Sequence, residues 1–396
     1  MTTERRRLAQ VSATMRTEDA RVKPLELFFD LVFVLAITQC TELMASHPTA
    51  EGLAQAMLIL GVLWWSWVGY SWLTSVVDPE EGGVRFAIFI AMGALLVMAL
   101  TVPGAFGGEA LLFAIAYGVV RWAQIGLFLV ASRDEPELRK SVVGLAGGTA
   151  VGVGLLVIAS ATDGGLQLGI WALALALDMA EPFFFGSEGW KLSPGHFAER
   201  HGLIIIIALG ESIVAIGVGA DVGVDAGVVA AAVLGIAAAA ALWWLYFDVV
   251  ALVAERRLSN AAKGREQNEI ARDSFSYLHF PMVAGIVLLA LGLKKTLGEV
   301  DDPLKAVPAL AMLGGVAVYL LAHVAFRWRN VHRFNSARLA AALLLLALIP
   351  LALEIASIAT LGILVVILAL LIAYENRQFA ELRDRLRHQL AEEPAT

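Results

Sequence analysis

Twelve apolar runs leave this chain few folds. They lie near residues 27–46, 53–77, 84–102, 109–131, 141–160, 165–181, 200–219, 226–253, 275–295, 304–326, 337–353 and 356–375. Most reach or exceed the roughly 18 apolar residues that mark a membrane span. In hydrocarbon the backbone must satisfy its own hydrogen bonds, so runs of this length predict transmembrane α-helices. Composition agrees: 59% of the residues are hydrophobic and 16% charged, against roughly 45–50% and about 25% in soluble domains. The eighth run is long enough to predict a tilt or a non-spanning end. The last two, parted around Glu354, are either two spans or one broken segment. The expected fold is an all-α polytopic membrane protein of about 12 transmembrane helices.

Loop charge sets the expected orientation. With a cytoplasmic N-terminus, the cytoplasmic segments hold 25 of the 29 lysines and arginines. The outer loops hold only Lys294, Lys295 and Lys305, and Arg121 lies inside a span. Such asymmetry places both termini in the cytoplasm. Residues 1–23 are polar and basic, without the apolar core and small-residue cleavage site of a signal peptide, and read as a retained cytoplasmic arm. A net charge of −7 gives no footprint for nucleic acid. The single cysteine, Cys40, excludes an internal disulfide and reads as a small apolar filler.

The chain also reads as two related halves. The stretch PLELFFDLVFVLAITQ (Pro24 to Gln39) aligns with FAERHGLIIIIALGES (Phe197 to Ser212) when Glu26 is set on Glu199. In the same order, Leu63-Trp64-Trp65 falls on Leu242-Trp243-Trp244, Tyr117 on Tyr319, Arg121 on His323, and Glu181 near Glu375. Six spans per half predict two parallel six-helix repeats, 24–181 and 199–375, with a cytoplasmic linker at 182–198 and a cytoplasmic tail at 376–396. The competing reading is chance likeness between Leu/Ala/Gly-rich helices.

The ELFFDLVFVLAITQ opening, the ERHGLIIIIALGES stretch and the tryptophan-rich second span resemble the bacterial low temperature requirement A family, over roughly residues 20 to 380. The resemblance implies a polytopic integral protein of the bacterial inner membrane, with a role named from growth in the cold. It brings no catalytic residue, ligand or cofactor.

The chemistry therefore rests on polar groups within spans, each costing roughly 2.5–3.5 kcal/mol on insertion scales unless paired or hydrated. Glu26 and Asp30 share a helix face, which Thr38 and Thr41 continue. They read either as one wall of a hydrated path or as an interfacial anchor paired with a basic loop residue. Glu211 is the acid placed deepest, reading as functional or as a protonated glutamic acid on a backbone carbonyl. Arg121 stays charged and needs an anion from another span, with Asp30, Asp178 and Glu211 as candidates. Asp248, His279 and His323 complete the set. Histidines beside acids relay protons, while histidines bonded to a neighbouring helix only pack. Trp64, Trp65, Trp243 and Trp244 either line a constriction or pack between halves. The glycines from Gly147 to Gly154 read as helix packing.

No phosphate loop, zinc-protease helix or cysteine–histidine metal pattern occurs, so no cofactor or metal is expected. The expected partners are the lipid bilayer and an ion or small solute. A transporter or channel fits the scattered intramembrane charges. The alternatives are a non-catalytic structural or lipid-linked membrane protein, or a membrane enzyme using the acids gathered towards the cytoplasmic side.

Overall fold

The structure is a computed structural model, and it describes residues 21–184, 189–220 and 223–378. Most of the expected N-terminal arm and most of the tail lie outside the described residues, as does part of the linker. The described chain is helices and turns, with an isolated antiparallel bridge between Pro303 and Ala356.

The first six helices are α1 (Pro24–Ser46), α2 (Ala50–Val76), α3 (Gly82–Thr101), α4 (Ala110–Ala131), α5 (Pro136–Ala159) and α6 (Gly164–Phe184). Then come α7 (Pro194–Gly219), α8 (Ala226–Phe247) and a short α9 (Val250–Ser259). The next stretch is α10 (Arg265–Ile270), a π-turn over Ala271–Tyr277, and α11 (His279–Gly298). It is followed by α12 (Ala306–Ala309), a second π-turn over Leu310–Gly314, and α13 (Gly315–Val331). The chain closes with α14 (Ser336–Ala347), α15 (Ile349–Ala352) and α16 (Ser357–Gln378).

Local chemistry sets the starts. Proline opens α1, α5 and α7, where its missing N–H costs nothing. Thr49, Asp225 and Asn335 accept the N–H groups of Gly52, Val228 and Arg338 as side-chain caps of α2, α8 and α14.

Among the described residues, eleven segments are long and apolar enough to cross a membrane, which makes this a multi-pass membrane protein. Ser336–Ala347 is apolar but shorter. With α15 it forms its own segment rather than the first part of α16. Asn335, before α14, donates to Glu375 near the end of α16, whereas Ser357 at the start of α16 donates to Asp302 in the turn after α11. The segment therefore runs antiparallel to α16. The long eighth run breaks at Asp248 and Val249, and α9 continues it separately.

Neighbouring helices follow the same order in both parts of the chain. The first six close as α1, α3, α4, α5, α6, α2 and back to α1. The later ones close as α7, α11, α13, α14, α16, α8 and back to α7. The two groups meet where α1 and α2 pack on α7 and α11. The end of the bundle where α1 and α7 begin carries most of the arginines and is called the basic end below.

Candidate functional site

The richest polar centre lies where α1 meets α7 at the basic end. Each helix opens on a proline and then carries two polar side chains four residues apart, so both pairs share a face. On α1 these are Glu26 and Asp30, and on α7 His196 and Arg200. His196 Nε2 sits 2.8 Å from Glu26 Oε1. Arg200 donates to Asp30 Oδ1 at 2.9 Å, and its other terminal nitrogen lies 3.9 Å from Glu26. Trp67 of α2 donates its indole N–H to the same Asp30 oxygen at 2.9 Å, and its ring lies 5.6 Å from the Arg200 guanidinium. The Lys23 backbone N–H donates to Glu26, closing the first turn. All four charged or titratable side chains are buried. Asp30 Oδ2 and Arg200 Nε have no hydrogen-bond partner among the described residues. A cavity of about 810 Å³ between α7, α8 and α9 reaches this centre at His196 and also exposes Glu199, Glu255 and Lys263.

A second contact joins the same two helices further along. Thr38 of α1 donates to Glu211 of α7 at 2.5 Å. Beyond it, Lys294 pairs with Glu42 at the opposite end of the bundle. Glu211 thus belongs to the outer part of the α1–α7 contact.

Arg121 is held elsewhere, between α4, α5 and α6. Its expected partners were Asp30, Asp178 or Glu211; its ion pair is with Glu181, at 3.5 Å, and Asp178, the neighbouring acid on α6, also acts on it electrostatically. It also donates to Gln124 at 3.0 Å and to Thr149 at 2.9 Å. Asp178 and Glu181 are three residues apart on one face of α6, so both approach α4, but Tyr117 donates to Asp178 and Glu181 meets the guanidinium. The α5 glycines make room for these acids. A Cβ on Gly148 would fall 1.9 Å from Glu181, and one on Gly152 would fall 2.5 Å from Asp178. Arg121 and Glu181 line a cavity of about 80 Å³ with Trp65 and Gln124, and neither Asp30 nor Glu211 shares it.

Unlike His196, His279 and His323 meet a tyrosine and carbonyls rather than acids. The Ala271–Tyr277 π-turn leaves the Ser274 carbonyl to accept from His279 Nδ1 at 2.9 Å, and His279 Nε2 lies 2.8 Å from the Tyr246 hydroxyl. His323 Nδ1 donates to its own helix at Tyr319. Neither His279 nor His323 is hydrogen-bonded to a carboxylate among the described residues. Asp248, at the break after α8, lines a third cavity with His323.

The two tryptophan pairs part company. Trp64 and Trp65 are 3% and 4% exposed, whereas Trp243 and Trp244 are 45% and 39% exposed. The first pair packs inward, and Trp64 donates to the Ser276 carbonyl at 2.8 Å. The second faces outward. Among the described residues, no three histidine, cysteine or acidic side chains gather as a metal site.

Sequence reasoning missed His196, Arg200, Trp67 and Glu181 as members of these centres. Arg200 was counted as a loop charge. The available signal was its four-residue spacing from His196, which repeats the spacing of Glu26 and Asp30.

Comparison with known proteins adds a family. The model of the bacterial low temperature requirement A protein (LtrA) family matches residues 21–373. A relative in Rhizobium meliloti (strain 1021), described as uncharacterized protein RA0937, is 28% identical over 316 residues, covering 77% of this chain and 76% of that one. No solved structure matches.

Proposed function

Since the chain belongs to the bacterial low temperature requirement A family, whose members are named from a requirement and not a reaction, we propose from its geometry that it is a membrane transporter or channel for a small ion. The path follows the contact between α1 and α7. One observation carries this reading: the two helices meet at two polar stations with an apolar stretch between them. Asp30 meets Arg200 near the basic end, and Thr38 meets Glu211 further along. Asp30 and Thr38 are about 12 Å apart along the helix at 1.5 Å per residue. The buried α1 residues between the stations are apolar, namely Phe33, Ala36 and Ile37; on α7, His201 is buried against Trp67 at the inner station, and Ile204, Ile205, Ala208 and Leu209 follow. A short apolar constriction between two polar stations is a form that gates of ion pathways take. The cavity at His196 supplies access to the inner station.

The membrane arrangement follows the same reading. The basic end is cytoplasmic by its arginine excess, with both termini there and the bacterial inner membrane as the host bilayer. Twelve crossings form two parallel six-helix halves. The antiparallel course of α14–α15 beside α16 and the shared neighbour order of the two groups support this.

The test is flux. Purified full-length protein in liposomes is given proton, potassium, sodium or chloride gradients one at a time, with ion-sensitive dyes inside. Flux of at least one ion should exceed that of empty liposomes. It should fall about tenfold or more in Glu211→Gln and in Asp30→Asn protein of intact fold. No flux of any of the four ions, or flux indifferent to both substitutions, overturns the reading.

A further inference from the structure

The cavity that contains His323 has a counterpart in the first half of the chain. It lies between α8, α13, α14 and α16 at the basic end and measures about 500 Å³. The small Arg121 cavity, of about 80 Å³, lies between α2, α4, α5 and α6, the helices that hold the same places in the other neighbour order. The linings correspond at several positions. Trp65 and Gly69 in one stand where Trp244 and Asp248 stand in the other, at equal spacing. Arg121, Gln124 and Phe128 correspond likewise to His323, Phe326 and Asn330, and Glu181 corresponds to Glu375.

One position contributes to the difference in size. In the first cavity the long Arg121 side chain reaches across to Glu181 and fills the space. In the second, the imidazole of His323 is too short to reach. Glu375 is held instead by Arg338 of α14, through two hydrogen bonds of 2.8 and 2.9 Å, and Arg338 is itself anchored on the Leu245 carbonyl at 3.0 Å. The space that Arg121 fills in the first half stays open in the second.

The open cavity has a defined chemistry. Its walls are mostly apolar. Arg327, Arg333 and Arg338 outnumber its two acids, Asp248 and Glu375; Glu375 is hydrogen-bonded to Arg338 and also acts on Arg327. His323 gives its Nδ1 proton to Tyr319, which leaves Nε2 as an acceptor, and that buried atom has no partner among the described residues. Trp244 lines the cavity and is 39% exposed on the outer surface of the bundle, as an interfacial tryptophan is. Basic pockets between transmembrane helices at the cytoplasmic face suit acidic lipid headgroups.

We infer that this cavity binds an anionic phospholipid of the adjoining leaflet, with its phosphate towards Arg327 and Arg333, a headgroup hydroxyl towards His323, and an acyl chain along the apolar wall. The site is separate from the α1–α7 contact, so it stands or falls independently of the ion path.

Bound lipid measures it directly. Full-length protein is reconstituted in nanodiscs of phosphatidylcholine with a minor share of phosphatidylglycerol of the same acyl chains, re-extracted in mild detergent, and examined by native mass spectrometry. Phosphatidylglycerol should be retained in preference to phosphatidylcholine. The rim variant Arg327→Gln/Arg333→Gln should lower that retention about tenfold or more. His323→Arg, which copies the filled cavity of the first half, should also expel the lipid. The rim variant tests the site should His323→Arg fail to fold. Equal retention of the two lipids, or undiminished phosphatidylglycerol in the folded variants, overturns the proposal. So does displacement of the lipid by inorganic phosphate alone, which would make the site one for free phosphate.

Discussion

His196 Nε2 lies 2.8 Å from Glu26 Oε1, and this contact joins the first turn of α7 to the first turn of α1 across the meeting of the two helix groups. Four residues on, Arg200 and Asp30 repeat the pairing. The acids come from one group and the bases from the other, so these contacts form only when the groups associate. Association and the pairing of these side chains are thus one event.

Breaking that pairing should be costly. Arg200→Ala leaves Asp30 buried beside only the Trp67 N–H, and removing one member of a buried pair costs about 3–5 kcal/mol. Thermal unfolding in detergent should show a large drop for Arg200→Ala. The double variant Arg200→Met/Asp30→Asn should regain most of it. A double variant no more stable than Arg200→Ala would refute the pairing.

The partner of Arg121 is open to a coupling measurement. Arg121→Met and Glu181→Gln should be coupled by about 0.5–3 kcal/mol in a double-mutant cycle read by unfolding. The same cycle with Glu211→Gln should be additive to within about 0.3–0.5 kcal/mol, because Glu211 is bound to Thr38 in another cluster.

The α5 glycines give a paired test of packing. Gly152→Ala pushes a methyl group to within 2.5 Å of Asp178, which Tyr117 holds in place, and should destabilise by about 1–3 kcal/mol. Gly154→Ala, with nothing within 4 Å, should be neutral or should stabilise by up to about 1 kcal/mol through helix propensity. Equal effects at the two positions would contradict the close approach of α5 and α6.

Topology can be read with reporters. On the proposed arrangement of twelve crossings, fusions at either end of the chain should report from the same side of the membrane, the cytoplasm. Opposite sides would mean that α14–α15 does not cross. An accessibility tag beside Lys305 should report from the other face.

Sequence by itself determined that the chain is helical and multi-pass. An apolar run in hydrocarbon has one local solution for its backbone hydrogen bonds, so length and hydropathy suffice. The same local periodicity placed Glu26 with Asp30 on one face of α1. It did not choose what that face meets. Arg121 has one helix neighbour carrying Asp178 and Glu181, and only the packing of α4 on α6, with Tyr117 occupying Asp178, selected Glu181. Two Trp-Trp pairs of the same spelling ended in different surroundings, one buried and one exposed. Arg200 could be counted as a loop charge until α7 was seen to begin before it, against α1. A helix fixes the directions of its own side chains through short-range geometry. Which partner lies in each direction depends on contacts between residues far apart in the chain, as with Glu26 and His196, and those are decided only when the helices pack.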